Sequence, residues 1–362
     1  MSRNSQLMVF LVVASLMLII EGASGTSRLM GQSNISTTAT AMAVSRDWTR
    51  VAVAVMEYEE GLEHERETSL SVIEMQTSTN LSIPFAEAAT LDLIAALAWN
   101  LDSTELYVAM ESGEIRRYNA ASGELLAVFQ HGRDYLNHME IDPSGNRMLS
   151  VSISGRLELR ALPSGQIIGS LDVQGYASGS MMYWAGWSPD GERIAIASRG
   201  GMVRILRSDD LSEVAVYRAG PQDYHNAVGA WSPDGAKLAI GGGGSPFRLI
   251  DLNTESQYSL GDTVEYIYAI TWHPTTRYLA TTSGRYLRVW DTDNMSVIHE
   301  EFRDVDSTSS LAWTQDGTGL IIGGAQGGAV PITIASNLPV PSVADVPTAP
   351  PSTGRSTWVG RR

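Results

Sequence analysis

The sequence predicts an all-β fold in which one four-stranded antiparallel unit is written seven times. Three observations predict it: a turn motif that recurs, a fixed order of strands and glycine turns after each copy, and a spacing that suits four short strands. The motif reads Trp-Ser-Pro-Asp-Gly at 187–191 and 231–235, and Trp-Thr-Gln-Asp-Gly at 313–317. Variants stand at Ile141–Gly145 and Trp272–Thr276, with more distant cognates at Trp99–Ser103 and Val44–Trp48. Taking the first residue of each as an anchor, the anchors are 44, 99, 141, 187, 231, 272 and 313, and the steps between them are 55, 42, 46, 44, 41 and 41 residues.

Each element of the unit has a physical reason. A small, apolar strand leads into the anchor, as in Ala95–Ala98 and Ala227–Ala230. In the turn, proline presets φ, aspartate bonds nearby backbone amides, and glycine accepts the left-handed conformation that closes a hairpin. A second apolar strand follows, for example Arg193–Ala197, Lys237–Ile240 and Leu320–Ile322. Fourteen residues after the anchor, Gly113, Gly155, Gly201 and Gly327 mark a second turn. The third strand alternates in polarity, as in Leu157–Arg160, Val203–Leu206 and Leu287–Trp290, and a shorter fourth strand completes the unit. One such sheet cannot cover both of its faces. The units must therefore stack around an axis, giving a seven-bladed β-propeller of four-stranded blades with the anchor tryptophans between them. The last unit has a third strand at 329–335, but Pro339 and Pro341 are poor material for a fourth. Ser27–Ser36 is expected to supply that strand and latch the ring. Gly241–Gly244 is read as a tight turn, since no Gly-Lys-Ser/Thr of a phosphate loop follows.

The ends differ from the repeats. Arg3 precedes an uncharged, almost wholly apolar run, Leu7–Ile20, and Ala23-Ser-Gly25 supplies the small residues a signal peptidase reads. Residues 1–25 are thus expected to be a signal peptide, 26–336 the propeller, and 337–362 a proline-rich flexible tail. The protein is expected to be secreted, periplasmic or on the cell surface, touching a membrane only through an uncleaved signal anchor. With no cysteine, disulfides, zinc thiolates and cysteine nucleophiles are excluded. Forty acidic against twenty-five basic side chains give a net charge of −15, and Lys237 is the only lysine. This balance argues against nucleic acid, whose binding is driven by basic side chains.

The third-strand ending Leu287-Arg-Val-Trp-Asp291, with its Trp-Asp pair, resembles the WD40-repeat family, and the resemblance covers roughly 300 of the 362 residues. Leu249-Ile-Asp251 and Arg117-Tyr-Asn119 are degenerate versions. The Gly-His pair expected between blades is missing, so the family's buried His-Ser-Asp-Trp network is not expected here. The Trp-Ser-Pro-Asp-Gly turns are also similar to those of bacterial propellers like TolB.

Function is then sought on the loops, which a rigid scaffold positions. Connections into the first strands share a face with the second-to-third-strand turns. On it Tyr135, Tyr176, Tyr224 and Tyr266 recur in four consecutive blades, with Tyr183 and Tyr268 near the channel mouth. Tyrosine combines a flat apolar body with a polar tip and suits a peptide or sugar chain; capping the inter-blade core is the competing role. The first unit carries an expanded turn, Glu57–Glu67, with six glutamates on the same face. It reads as a solvated acidic loop or as capture of a basic partner. No catalytic residues, no metal and no cofactor are expected: the histidines are scattered, and no Gly-x-Ser-x-Gly elbow occurs. The expected function is a non-catalytic, monomeric binding propeller that engages a protein, peptide or glycan. The alternatives are a hydrolase or lyase with carboxylates in the central channel, and a TolB-like accessory of an envelope complex.

Overall fold

A computed structural model describes residues 35–333, apart from short segments of which 84–91 and 173–181 are the longest. The first blade is β1 (Ile35–Val44), β2 (Arg50–Glu59), β3 (Arg66–Glu74) and β4 (Asn80–Ile83). The second is β5 (Ile94–Trp99), β6 (Glu105–Met110), β7 (Glu114–Asn119) and β8 (Leu125–Gln130). The third is β9 (Leu136–Ile141), β10 (Arg147–Ser152), β11 (Arg156–Ala161) and β12 (Ile167–Asp172). The fourth is β13 (Met182–Trp187), β14 (Arg193–Ser198), β15 (Met202–Arg207) and β16 (Glu213–Arg218). The fifth is β17 (His225–Trp231), β18 (Lys237–Gly243), β19 (Phe247–Asp251) and β20 (Ser256–Leu260). The sixth is β21 (Ile267–Trp272), β22 (Tyr278–Ser283), β23 (Tyr286–Asp291) and β24 (Ser296–Phe302). The last sheet is β25 (Thr308–Trp313), β26 (Gly319–Gly324) and β27 (Gly328–Thr333).

Every sheet is an antiparallel meander in chain order. Successive first strands pack side by side, and β1 packs against β25 and β26, so the circle of sheets closes. All seven anchors are the last residue of a first strand. Four residues on, Gly145, Gly191, Gly235 and Gly317 have φ of +68° to +76°, and Trp48 and Ser103 hold the same left-handed conformation at +60°. Aspartate acts as expected: Ser188 Oγ donates to Asp190 Oδ1, which also accepts the Glu192 amide at 2.9 Å.

The core is divided into wedges, one between each pair of neighbouring sheets. The anchor tryptophans lace these wedges. Trp99, Trp187, Trp231, Trp272 and Trp313 each donate their indole N–H to a carbonyl in the preceding blade: Ala43, Glu140, Gly186, Ala230 and Thr271, at 2.9–3.4 Å. Arginines tighten three of them. Arg50, Arg147 and Arg193 stack over Trp99, Trp187 and Trp231 and donate to Ser103, Gly191 and Gly235 carbonyls in the next turn.

Four expectations are corrected. The four-stranded blades number six, not seven, because the last sheet has three strands among the described residues. Its β27 includes Pro331, which lacks the N–H a central strand needs. The latch fails at Ile35 and Ser36: these pair with Glu59 and Tyr58 inside the first blade, and 27–34 lie outside the described residues. Both ends of the acidic insertion belong to longer strands, since Glu57 pairs with Glu67 and Tyr58 with Arg66; 60–65 lie outside the described residues. Gly241–Gly243 continue β18 instead of turning. Glycine is needed there for a close approach, because a Cβ on Gly241 would stand 2.7 Å from Ile267 Cβ of the next blade.

The family's four-residue network is absent as a unit among the described residues, but two fragments survive in different blades. Trp290 Nε1 donates to Thr281 Oγ1 at 2.9 Å, and the His131 ring bonds Ser150 Oγ at 2.7 Å.

Candidate functional site

The six tyrosines do not share one environment. Tyr135, just before β9, is 61% exposed. Tyr266 and Tyr268, where the chain enters β21, stack on each other with ring centroids 4.8 Å apart, and Tyr268 is exposed. Tyr183 stands at the place on β13 that Tyr268 holds on β21, four residues before the anchor, but lies half-buried against the wedge that contains Val203, Trp231 and Leu238. Tyr176 and Tyr224 lie outside the described residues. Tyr135 and Tyr268 are thus exposed on the entry face, whereas Tyr266 and Tyr183 are half-buried.

The other end of the axis holds a cavity of about 540 Å3, walled by the ends of the first strands and reaching the turns with Arg46, Pro189 and Pro233. The residues before the anchors line it, Ala312 excepted. Six are small, namely Ala43, Ala98, Gly186, Ala230, Thr271 and Ala312, and the seventh is Glu140. Two residues earlier on β9 stands His138, and the corresponding place on β13 holds Trp184. Both side chains line the cavity with Glu140, and the His138 and Trp184 rings are 6.4 Å apart. Glycines make room for the indole: a Cβ on Gly186 would meet Trp184 Cζ2 at 2.4 Å, and one on Gly229 would meet Cε3 at 2.6 Å.

Glu140 is half-buried by surface, yet protein surrounds most of it. Burial pushes its carboxyl up to about 7, although the Trp187 amide and the charge of Arg46 favour the ionised form. The Trp187 N–H donates to Oε2 at 3.1 Å, which satisfies an edge-strand amide that no strand partner reaches. Burial pushes the His138 imidazole down to about 4, so it is neutral at neutral pH. Arg46 crosses from the first blade to the third, where Nη2 donates to the Ile141 and Asp142 carbonyls at 3.2 Å each. Chemically, the site offers one titratable carboxyl, one neutral imidazole and an indole at one end of the channel. It is not a ring of carboxylates, and among the described residues no group of His, Asp and Glu is arranged to hold a metal ion.

The repeat statistics could have found Glu140, since it alone breaks the small-residue rule before the anchors. His138 stands in the sequence as an isolated loop histidine, whereas β9 carries it into the channel.

Residues 255–291, which span the end of the fifth blade to Asp291, match the family described as "WD domain, G-beta repeat". No curated protein matches the chain. Among solved structures the fold is similar to a chain of "Crystal Structure of Mitotic Checkpoint Complex", with TM-score 0.69, 16% identity, and coverage of 85% of this chain and 97% of that one. At that identity the likeness concerns the fold.

Proposed function

We propose that this WD40-repeat β-propeller is a non-catalytic scaffold, exported from the cytoplasm, that holds a protein partner on its entry face. The observation that carries the reading is the exposure of Tyr135 and Tyr268 on that face, the latter stacked on the half-buried Tyr266. A soluble domain rarely presents rigid aromatic rings in company unless they meet a partner, and such rings lose little entropy when they are covered. The similar chain belongs to a multiprotein complex, which supports a protein as the partner. Export rests on the apolar run Leu7–Ile20 and the small residues Ala23 and Gly25.

The test is affinity capture on the immobilised propeller from the envelope or medium of the native organism. The triple change Tyr135→Ala, Tyr266→Ala, Tyr268→Ala should abolish capture and leave the melting temperature within a few degrees. Retained capture refutes the face, and recovery of a glycan in place of a protein refutes the partner class.

A further inference from the structure

Glu140 is the anomaly of the channel wall. A carboxyl that is largely removed from water is costly to ionise unless a cation joins it. Oε2 has the Trp187 N–H, but no described cation forms an ion pair with this carboxylate. Arg46 is the one cation in the lining, and its guanidinium is engaged by two carbonyls. On the same strand His138 is held neutral, so it neither pairs with Glu140 nor repels a positive guest. The packed neighbours add no further charge: β13 presents Gly186, β5 Ala98, β17 Ala230 and β21 Thr271.

The space suits a guest. A void of about 540 Å3 lies in the range of about 300–1,000 Å3 typical of small-ligand sites. The Trp184 indole adds an electron-rich surface of the kind that attracts cations. Two glycines are kept free of Cβ so that this ring can lie there.

We propose that the channel end walled by Glu140, His138 and Trp184 is a binding site for an organic cation, whose ammonium or guanidinium head pairs with the Glu140 carboxylate. The site is at the opposite end of the axis from the tyrosine face and does not depend on it. A small amine and a basic side chain of a polypeptide carry the same head, so both are tried as probes.

The experiment is titration calorimetry of the full chain with agmatine and, separately, with an acetylated Gly-Arg-Gly amide, at pH 7 in two buffers of different ionisation enthalpy. Pairing with a half-protonated carboxyl should release about 0.5 proton per cation. Glu140→Gln keeps an acceptor for the Trp187 N–H, and should weaken binding at least tenfold and abolish the release. Ala98→Leu, which narrows the cavity from the second blade and leaves the Glu140 carboxyl in place, should weaken binding as well and covers the case in which the first variant folds poorly. Binding of agmatine assigns a small molecule, and binding of the tripeptide alone assigns a polypeptide side chain. The proposal is overturned if neither probe binds, if uncharged butylurea binds equally well, or if both variants bind like the parent.

Discussion

Two junctions of the ring, built from the same repeat, are held very differently. Between the fourth and fifth blades, Trp231 is buried, donates to Gly186 O at 3.0 Å and lies under the Arg193 guanidinium, which itself reaches Gly235 O. Between the last sheet and the first blade, the anchor is Val44. It has no indole to donate, and the described wedge there is Val51, Val53, Ile73 and Ile321 with partly buried neighbours. The comparison teaches that ring closure and blade repetition are separate problems. Repetition is solved at five junctions by the same indole tie, whereas closure, like the junction at Ile141, is packed without one, with Trp48 among the partly buried neighbours of its aliphatic wedge. The closing junction should be the first to open.

The largest expected effect tests that inequality. Trp231→Ala removes a buried indole and should cost about 3–5 kcal/mol in urea unfolding, while Val44→Ala at the closing junction should cost about 1 kcal/mol. Equal losses would break the comparison.

A second effect separates the third-to-fourth junction from both. Glu140 is raised to about 7 in the folded chain from an ordinary 4.5, so the stability it contributes is complete below pH 4.5 and is lost as pH rises through 7. Glu140→Gln has no such loss. Its stability relative to the parent should grow by up to about 3 kcal/mol between pH 4.5 and 7.5, read from melting curves across that window. His138 acts in the opposite sense. Lowered to about 4 from 6.5, it contributes stability that is present above 6.5 and is lost as pH falls toward 4. That contribution is common to both proteins and cancels in the difference. A pH-independent difference would show that Glu140 titrates normally.

The smallest effect sharpens the account of the tie itself. Arg193→Ala removes a cation–π contact and one hydrogen bond to Gly235 O, and should cost about 1 kcal/mol by the same unfolding measurement.

Much of this architecture is legible in the sequence because the turn chemistry is strict. Only certain residues tolerate φ near +70° after an anchor, so Gly191, Gly235 and Gly317 mark the hairpins unambiguously. Glycine is less informative where its role is closeness. Gly241 reads like a turn and is a strand residue, since only the neighbouring Ile267 reveals the need for a missing Cβ. The long first hairpin is illegible for a related reason: glutamates that look like a loop pair across β2 and β3 once β1 offers a third strand of equal length. The channel site depends on what faces a hole shared by all the sheets, and no single repeat encodes that. Tyr183 shows the converse: spacing gives it the place that the exposed Tyr268 holds, yet in its own blade it lies half-buried against a core wedge.

The indole-to-carbonyl bonds have a consequence for anything that threads the axis. Each innermost strand is an open edge whose outward-turned backbone would ordinarily invite another chain to zip onto it. Here the carbonyls of Ala43, Glu140, Gly186, Ala230 and Thr271 are already spoken for by the adjoining blade. A visiting segment finds few main-chain acceptors at that level and has to be chosen by its side groups, so the bore can stay open without becoming adhesive.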